Sequence, residues 1–250
     1  MPTKRSGTDG RFKGVTYKRV KREEGTLSQV RRRNVRSRNA WRPSPLQFIQ
    51  YTWTTGGSPI TVGSGGYVAL LTAFPRGSDE DKRHTGETLT YKVGLDLVFT
   101  YNNKLRTGTI ARTHFVVWLV YDSQPSGTLP ATHGIFDLID SFTDYPSTWK
   151  VNRDMGHRFV VKRRWINWLE ADGSVSTGNY SGSPAAPAKS SVIFNKFVKR
   201  LGVRTEWKNT TTGGIGDVSK GALYIVVARQ SFDIDVRGRL RVYFKSVGNQ

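Results

Sequence analysis

The sequence predicts an all-β protein behind a basic N-terminal arm, and three observations support this. Glycine (26 residues), valine, threonine and aromatic residues are plentiful, which favours strands and turns over helices. Residues 89–100 alternate apolar and polar side chains, which is typical of a strand with one buried face. The remaining domain, residues 43–250, has a normal size for one sandwich or barrel.

The arm, residues 1–42, has a composition of its own. Fourteen Lys and Arg stand against three acids, so it carries +11 of the chain's net +20. Its apolar residues are few and aperiodic, and we expect it to be disordered alone. A terminal block of like charge is typical of an arm that lies on a polyanion, and a solvated tail that only aids solubility is the alternative. The predicted nucleic-acid-binding residues here are Lys4, Arg5, Arg11, Lys13, Lys18, Arg19, Lys21, Arg22, Arg31, Arg32, Arg33, Arg36 and Arg38.

Two basic clusters of the arm also fit a bipartite nuclear import signal. Lys18-Arg19 precedes Arg31-Arg32-Arg33 by eleven residues, and such clusters serve both import and nucleic-acid binding. The predicted localisation residues are Lys18, Arg19, Lys21, Arg22, Arg31, Arg32 and Arg33.

The folded domain, residues 43–250, opens with Pro43 and Pro45, which favour extended backbone. Ile135, Leu138, Ile139 and Phe142 stand at helical spacing, so residues 134–142 predict one short helix. Strands are predicted, in order, at 46–54, 60–62, 67–72, 89–100, 114–121, 149–151, 157–169, 192–198, 205–207, 222–228 and 240–247.

Burial patterns and loop lengths refine the fold class. The odd positions of 89–100 should face the core, from Leu89 to Phe99. Residues 114–121 are apolar on both faces, which indicates a strand buried on both sides or at a subunit contact. Eight to ten strands, one helix and long loops favour an antiparallel jelly-roll sandwich over an immunoglobulin-like one.

The folded domain carries a first basic cluster in residues 157–169. Lys162, Arg163 and Arg164 are followed by Trp165 and Trp168. Cations interleaved with aromatic rings suit stacking of nucleic-acid bases without sequence readout. An equal alternative places both tryptophans in the core or at an interface.

A second basic cluster lies near the C-terminus. Arg237, Arg239 and Arg241 share one parity of a strand, and the opposite parity is apolar. This pattern predicts a basic stripe backed by a buried face. The opposite-parity residues are Leu240, Val242 and Phe244.

The sequence gives no support for a catalytic or metal-binding role. Absence of cysteine excludes disulfides, thiolate nucleophiles and zinc fingers, and the four histidines lack metal-ligand spacing. The glycines of 63–66 favour a turn, and the acids of 79–81 favour a solvated loop or an inter-subunit ion pair over a metal site. We therefore expect no enzyme, metal or cofactor.

Partner classes follow from charge and hydropathy. No apolar run approaches the ~20 residues needed to span a bilayer, and the N-terminus lacks an apolar signal region, so no membrane insertion is expected. A net charge of +20 and a pI near 10.4 indicate nucleic acid first and an anionic membrane second.

Several blocks of the chain resemble the coat proteins of geminiviruses, most closely those of the mastrevirus genus. The resemblance covers roughly residues 60–250. The blocks are ETLTYK at 87–92, WLVYD at 118–122, TWKV at 148–151, HRFVVKRRW at 157–165, LGVRTEWKN at 201–209, KGALY at 220–224 and YFKSVGNQ at 243–250.

The resemblance implies a jelly-roll subunit of a plant virus. It implies pentamers assembling into a twinned, incomplete T=1 icosahedral capsid around circular single-stranded DNA, found in the virion and the host nucleus. It further implies nuclear shuttling through a host import receptor, viral movement, and recognition by an insect-vector receptor. The alternatives are a monomeric, non-capsid single-stranded DNA-binding protein, and a membrane-surface or movement protein whose arm lies on anionic lipid.

Overall fold

The computed structural model describes residues 46–102, 110–137, 145–172 and 189–247. This part holds thirteen strands and one helix, α1 (Thr132–Ile135), with short 3-10 helices at Pro146–Thr148, Arg153–Met155 and Ile215–Asp217. The strands are β1 (Gln47–Trp53), β2 (Ile60–Val62), β3 (Tyr67–Leu70), β4 (Glu87–Tyr101), β5 (Ile110–Asp122), β6 (Phe136–Asp137), β7 (Lys150–Val151), β8 (Phe159–Asp172), β9 (Ser191–Val198), β10 (Val203–Trp207), β11 (Val218–Lys220), β12 (Ala222–Arg229) and β13 (Ile234–Val247).

Two antiparallel sheets form the sandwich. The large sheet has the order β1-β13-β4-β10-β11, with β2 also paired to β13 and β9 to β4, and the small sheet has the order β3-β12-β5-β8. β9 and β10 pair in succession with one edge of β4, so they act as one interrupted strand. We number eight strands of the two sheets from one to eight in chain order: β1, β3, β4, β5, β8, β9 with β10, β12 and β13. The large sheet then has the order 1-8-3-6 and the small sheet the order 2-7-4-5.

That order is a jelly roll, in which successive strands cross between the sheets, and the predicted fold class is confirmed. The described part has more strands than the eight to ten predicted. The sequence did not predict β6 and β11, because segments of two or three residues carry no readable alternation.

β4 shows both the success and the failure of the alternation argument. Val93, Leu95, Leu97 and Phe99 are fully buried, and the Phe99 ring stacks on Phe115 of the small sheet with centroids 4.4 Å apart. The predicted burial is therefore confirmed for this half of the strand.

Burial of Leu89 and Tyr91 was predicted wrongly. Both are only partly buried, whereas Thr88 and Thr90 are buried. The register against β13 shifts at this point, because Tyr91 has no direct partner and forms a bulge. One extra residue moves every earlier side chain of the strand to the other face.

β5 is buried on both faces, as its apolar run predicted. Phe115 faces the large sheet, and the opposite face is covered by the segment that contains α1, β6 and β7. There the Trp118 ring lies parallel to Trp149 at 5.8 Å and contacts Phe136 at 4.8 Å. Burial within the subunit thus accounts for this strand.

The predicted helix at 134–142 is wrong in extent. One helical turn, α1, covers Thr132–Ile135, and the chain then extends into β6, where Phe136 pairs with Val151. Phe136 packs between Trp118 and Trp149, and this tertiary contact overrides the helical spacing. Residues 138–142 lie outside the described part.

A buried charged group joins β5, β12 and the residue that precedes β8. Asp122 accepts two hydrogen bonds of 2.9 Å from the Arg158 guanidinium and one of 3.3 Å from the Tyr224 hydroxyl. These bonds raise the pKa of Arg158, and burial raises the pKa of Tyr224 above its ordinary value of 10.0. The group satisfies a carboxylate that is fully removed from solvent.

A second buried cation lies among loops. Arg83 donates to the carbonyl oxygens of Phe74, Thr85 and Thr210, and its guanidinium lies 4.8 Å from the Trp207 ring centre. Burial lowers the pKa of Arg83. These contacts show that Arg83, although charged, stabilises the loop of residues 76–84.

Candidate nucleic-acid interface

A row of arginines lies on the outward face of the large sheet. Arg237, Arg239 and Arg241 on β13 are exposed. Leu240, between Arg239 and Arg241, is buried, as are Val236 and Val242 on either side, so the predicted alternation is present; position 238 is a glycine. Nucleic-acid binding by the three arginines stays a prediction. The buried residues of this strand include Val236, Leu240, Val242 and Phe244.

Neighbouring strands leave these cations available. Arg239 stands opposite Asp96 of β4, and Arg241 donates from Nε to Gln50 Oε1 of β1 at 2.8 Å. Within the described ranges, the carboxylate–cation pairs within 4.0 Å do not include any of the three arginines. Their charge is therefore free to meet an anionic partner.

Exposed apolar side chains stand beside the arginines on the same face. Ile193 and Phe197 of β9 are 73% and 53% exposed, and Phe48 of β1 is 41% exposed. Tyr243 of β13 links them, because its ring contacts Phe48 at 6.0 Å and meets Phe197 edge-on at 5.9 Å. Contiguous patches of large exposed apolar side chains are uncommon on soluble proteins, and they mark surfaces that bind a partner.

We call this surface the Arg–aromatic face. It combines positive charge with accessible rings, the two features by which proteins hold single-stranded nucleic acid. The Phe197 ring lies over Gly94 of β4, 3.5 Å from the place a Cβ would occupy, which is an ordinary van der Waals contact. The face consists of Phe48, Ile193, Phe197, Arg237, Arg239, Arg241 and Tyr243.

The aromatic members of this face were missed from sequence. The readable signal was β9, where Ile193 and Phe197 are apolar on one parity while Phe194 and Val198 are apolar on the other. A short strand that is apolar on both parities has either a covered outer face or a binding role.

The basic cluster of β8 lies elsewhere. Lys162 falls at a register shift against β5, its Nζ lies 5.1 Å from the Tyr121 ring centre, and Arg163 and Arg164 are exposed at the sheet edge. Arg164 also donates to the carbonyl oxygen of Ser147. β8 belongs to the small sheet, so the structure does not bring the two predicted basic clusters onto one face.

The two tryptophans of β8 have different environments. Trp165 packs against the core and meets Phe194 edge-on at 5.5 Å, which matches the core alternative. Trp168 lies on the outward parity, with Arg112 and Lys189 cations 4.5 and 4.2 Å from its ring centre. Trp168 thus makes two cation–π contacts, and its stacking on bases stays a prediction.

The predicted residues of the arm, from Lys4 to Arg38, lie outside the described residues, as does the whole import signal. Their roles stay predictions. Among the residues that the structure describes, no three His, Asp or Glu side chains are grouped to hold a metal ion. No helix in the described ranges has the length and apolar character needed to cross a membrane.

Comparison with known proteins gives a consistent result. The family model described as "Geminivirus coat protein/nuclear export factor BR1 family" matches residues 4–250. A capsid protein of Maize streak virus genotype D (isolate Raw) is 43% identical over 242 residues, which cover 93% of this chain and 94% of that protein.

Two further relatives agree. A capsid protein of Maize streak virus genotype C (isolate Set) is 45% identical over 82% of this chain and 85% of its own length. The capsid protein of Chloris striate mosaic virus is 43% identical over 86% and 88%. A solved structure of infectious bursal disease virus Gx strain, at 11% identity, covers 83% of this chain and 33% of that one with a TM-score of 0.28, too low to bear on the fold.

Proposed function

This chain belongs to the geminivirus coat protein family, and we propose that its copies assemble into a twinned, incomplete T=1 icosahedral shell that packages circular single-stranded DNA. It is a capsid protein, a structural component of the virion rather than an enzyme. Relatives of 43–45% identity are capsid proteins of plant viruses. Pentamers would be the building units of the shell.

The observation that supports packaging is the Arg–aromatic face. Arg237, Arg239 and Arg241 supply charge for phosphates, and the rings of Phe48 and Phe197 supply flat surfaces for bases. Stacking contributes about 1–3 kcal/mol per base and accepts every base, because each has a π-face. Binding of this kind suits a shell that must hold a whole genome regardless of its sequence.

The basic arm adds to the same binding. It carries a net charge of +11 and is separated by four residues from β1, whose Phe48 belongs to the Arg–aromatic face. We propose that the arm neutralises phosphates of the packaged strand through non-specific contacts. The alternative of a tail that only aids solubility predicts no loss of DNA when it is removed.

Nuclear shuttling, movement and vector transmission are proposed for the same protein. A host import receptor would bind the clusters at Lys18-Arg19 and Arg31-Arg32-Arg33, and an insect-vector receptor would bind the assembled particle. Replacing either cluster by glutamine in a fluorescent fusion should reduce nuclear fluorescence. Equal nuclear signal in the native and both altered fusions would place the import signal elsewhere.

Assembly is tested by expressing the full chain, adding circular single-stranded DNA and imaging the product by electron microscopy. Paired, incomplete icosahedral particles that contain nuclease-resistant DNA are expected. Protein–DNA complexes without a shell would refute the proposal and support the alternative of a monomeric single-stranded DNA-binding protein. Flotation with anionic vesicles tests the membrane-surface alternative.

A further inference from the structure

A cavity of about 680 Å³ opens on the side of the small sheet that faces away from the large sheet. Its apolar lining residues include Val68 of β3, Leu129, Pro130, Ala131 and Trp149. Its volume falls within the range of binding pockets in proteins. The cavity is separate from the Arg–aromatic face, which lies on the large sheet.

A glycine turn fixed to the start of α1 also lines the cavity. The Gly66 N–H donates to the Gly63 carbonyl at 3.1 Å, and the Thr132 hydroxyl donates to the Gly65 carbonyl at 2.6 Å. Gly66 has a φ of +72°, and the Thr132 methyl lies 2.8 Å from the place of an added Cβ. Only glycine fits at position 66, and the hydrogen bond between Thr132 and Gly65 fixes the turn against the start of α1.

The Trp149 ring in the lining of the cavity is also held in place by its neighbours. The Trp149 ring is buried and lies parallel to the Trp118 ring of β5, with an interplanar angle of 2°. A cavity whose walls are held before binding loses little conformational entropy when it is filled.

The charges around the cavity decide what it can receive. None of its lining residues is Lys, Arg, Asp or Glu, although the chain carries a net charge of +20. A nucleic acid would require cations, and the basic arm would require acids. An uncharged apolar segment fits both the lining and the 48% exposure of Leu129.

Repulsion between copies points to the same occupant. Two molecules of strongly positive charge repel each other, so direct contacts are favoured where the surface is neutral and apolar. Members of a capsid protein family must contact their own copies. We propose that this cavity receives an uncharged apolar segment of a second copy of the chain, with Leu129 at the contact. The inference rests on the proposed shell assembly.

A charge at the cavity rim tests this. Leu129→Lys keeps the subunit folded, because Leu129 is half-exposed, but places a cation against the occupant. Val160→Lys is the matched control, because Val160 of β8 is 43% exposed and does not line the cavity. Sedimentation of the full chain with circular single-stranded DNA gives the concentration at which half of the protein is assembled.

We expect that concentration to rise at least about tenfold for Leu129→Lys, about 1.4 kcal/mol per subunit, and to stay unchanged for Val160→Lys. Assembly of Leu129→Lys at the native concentration would overturn the inference, and so would an equal rise in both variants. Failure of the native chain to form particles would instead refute the shell itself.

Cross-linking identifies the occupant directly. The chain has no cysteine, so Leu129→Cys introduces a unique thiol for a photoreactive maleimide. Particles are assembled from equal amounts of ¹⁵N-labelled and unlabelled protein, illuminated and digested for mass spectrometry. Cross-linked peptides of mixed isotope label are expected. Cross-links confined to one copy, or to DNA, would contradict the inference.

Discussion

Removing the three arginines of β13 should weaken the salt dependence of DNA binding by a predictable amount. Each phosphate contact with single-stranded DNA contributes about −0.7 to the slope of log K against log salt. Arg237, Arg239 and Arg241 are exposed and lack carboxylate partners within the described residues, so their joint replacement by glutamine should flatten the slope by about 2. The native chain should then lose about 16-fold more affinity than the variant between about 50 and about 200 mM salt.

The measurement is fluorescence anisotropy of an unstructured oligonucleotide, titrated with full-length protein at several salt concentrations. A charge-matched comparison replaces Lys162, Arg163 and Arg164, the other predicted basic cluster, by glutamine and so removes the same charge from the small sheet. Glutamine preserves hydrogen bonding in both variants, and thermal unfolding verifies that both are folded. An unchanged slope for the β13 variant would refute the reasoning, and an equal flattening in the β8 variant would show that the Arg–aromatic face has no special role.

Four further outcomes are expected. Deletion of residues 1–42 should flatten the slope by up to about 10 and leave the β fold intact, and an identical slope would leave the arm as a targeting tail. Leu95→Asp places an unpaired carboxylate in a fully buried position and should abolish soluble protein; a soluble, assembling variant would show that the buried face is misassigned. Gly221 has a φ of +72°, and an added Cβ would lie 2.0 Å from the Arg204 carbonyl oxygen. Gly221→Ala should therefore lower the free energy of unfolding by more than about 1 kcal/mol. An unchanged urea midpoint would contradict this. The raised pKa of Tyr224 contributes stability that is complete below pH 10 and is lost above it, because the unfolded tyrosine then ionises. Tyr224→Phe should therefore flatten the dependence of the free energy of unfolding on alkaline pH. Superimposable pH profiles of the native chain and the variant would contradict this.

Much of the fold was predictable because the determining signals are local. Alternation along residues 93–99 predicted four buried side chains of β4, and the apolar run of β5 predicted burial on both faces. The sequence cannot show a bulge, because the unpaired Tyr91 is defined only by its register against β13. The predicted helix failed for a related reason, since the position of Phe136 depends on Trp118 and Trp149.

The candidate site likewise has one part that the sequence predicts and another part that it does not. The parity of Arg237, Arg239 and Arg241 follows from strand geometry, and the net charge of the arm follows from composition. The aromatic partners come from β1 and β9, far from β13 along the chain.

By itself the sequence determined the properties that neighbouring residues carry: strand positions, charge, the absence of cysteine, and the motifs that reveal the family. Only the tertiary structure decided which strands lie side by side. Gln50 and Arg241 are 191 positions apart and share a hydrogen bond, whereas the cations of β8 and β13 lie on different sheets. The physical reason is that surfaces form across strand pairs, and pairing over such separations is set by the packing of the whole core.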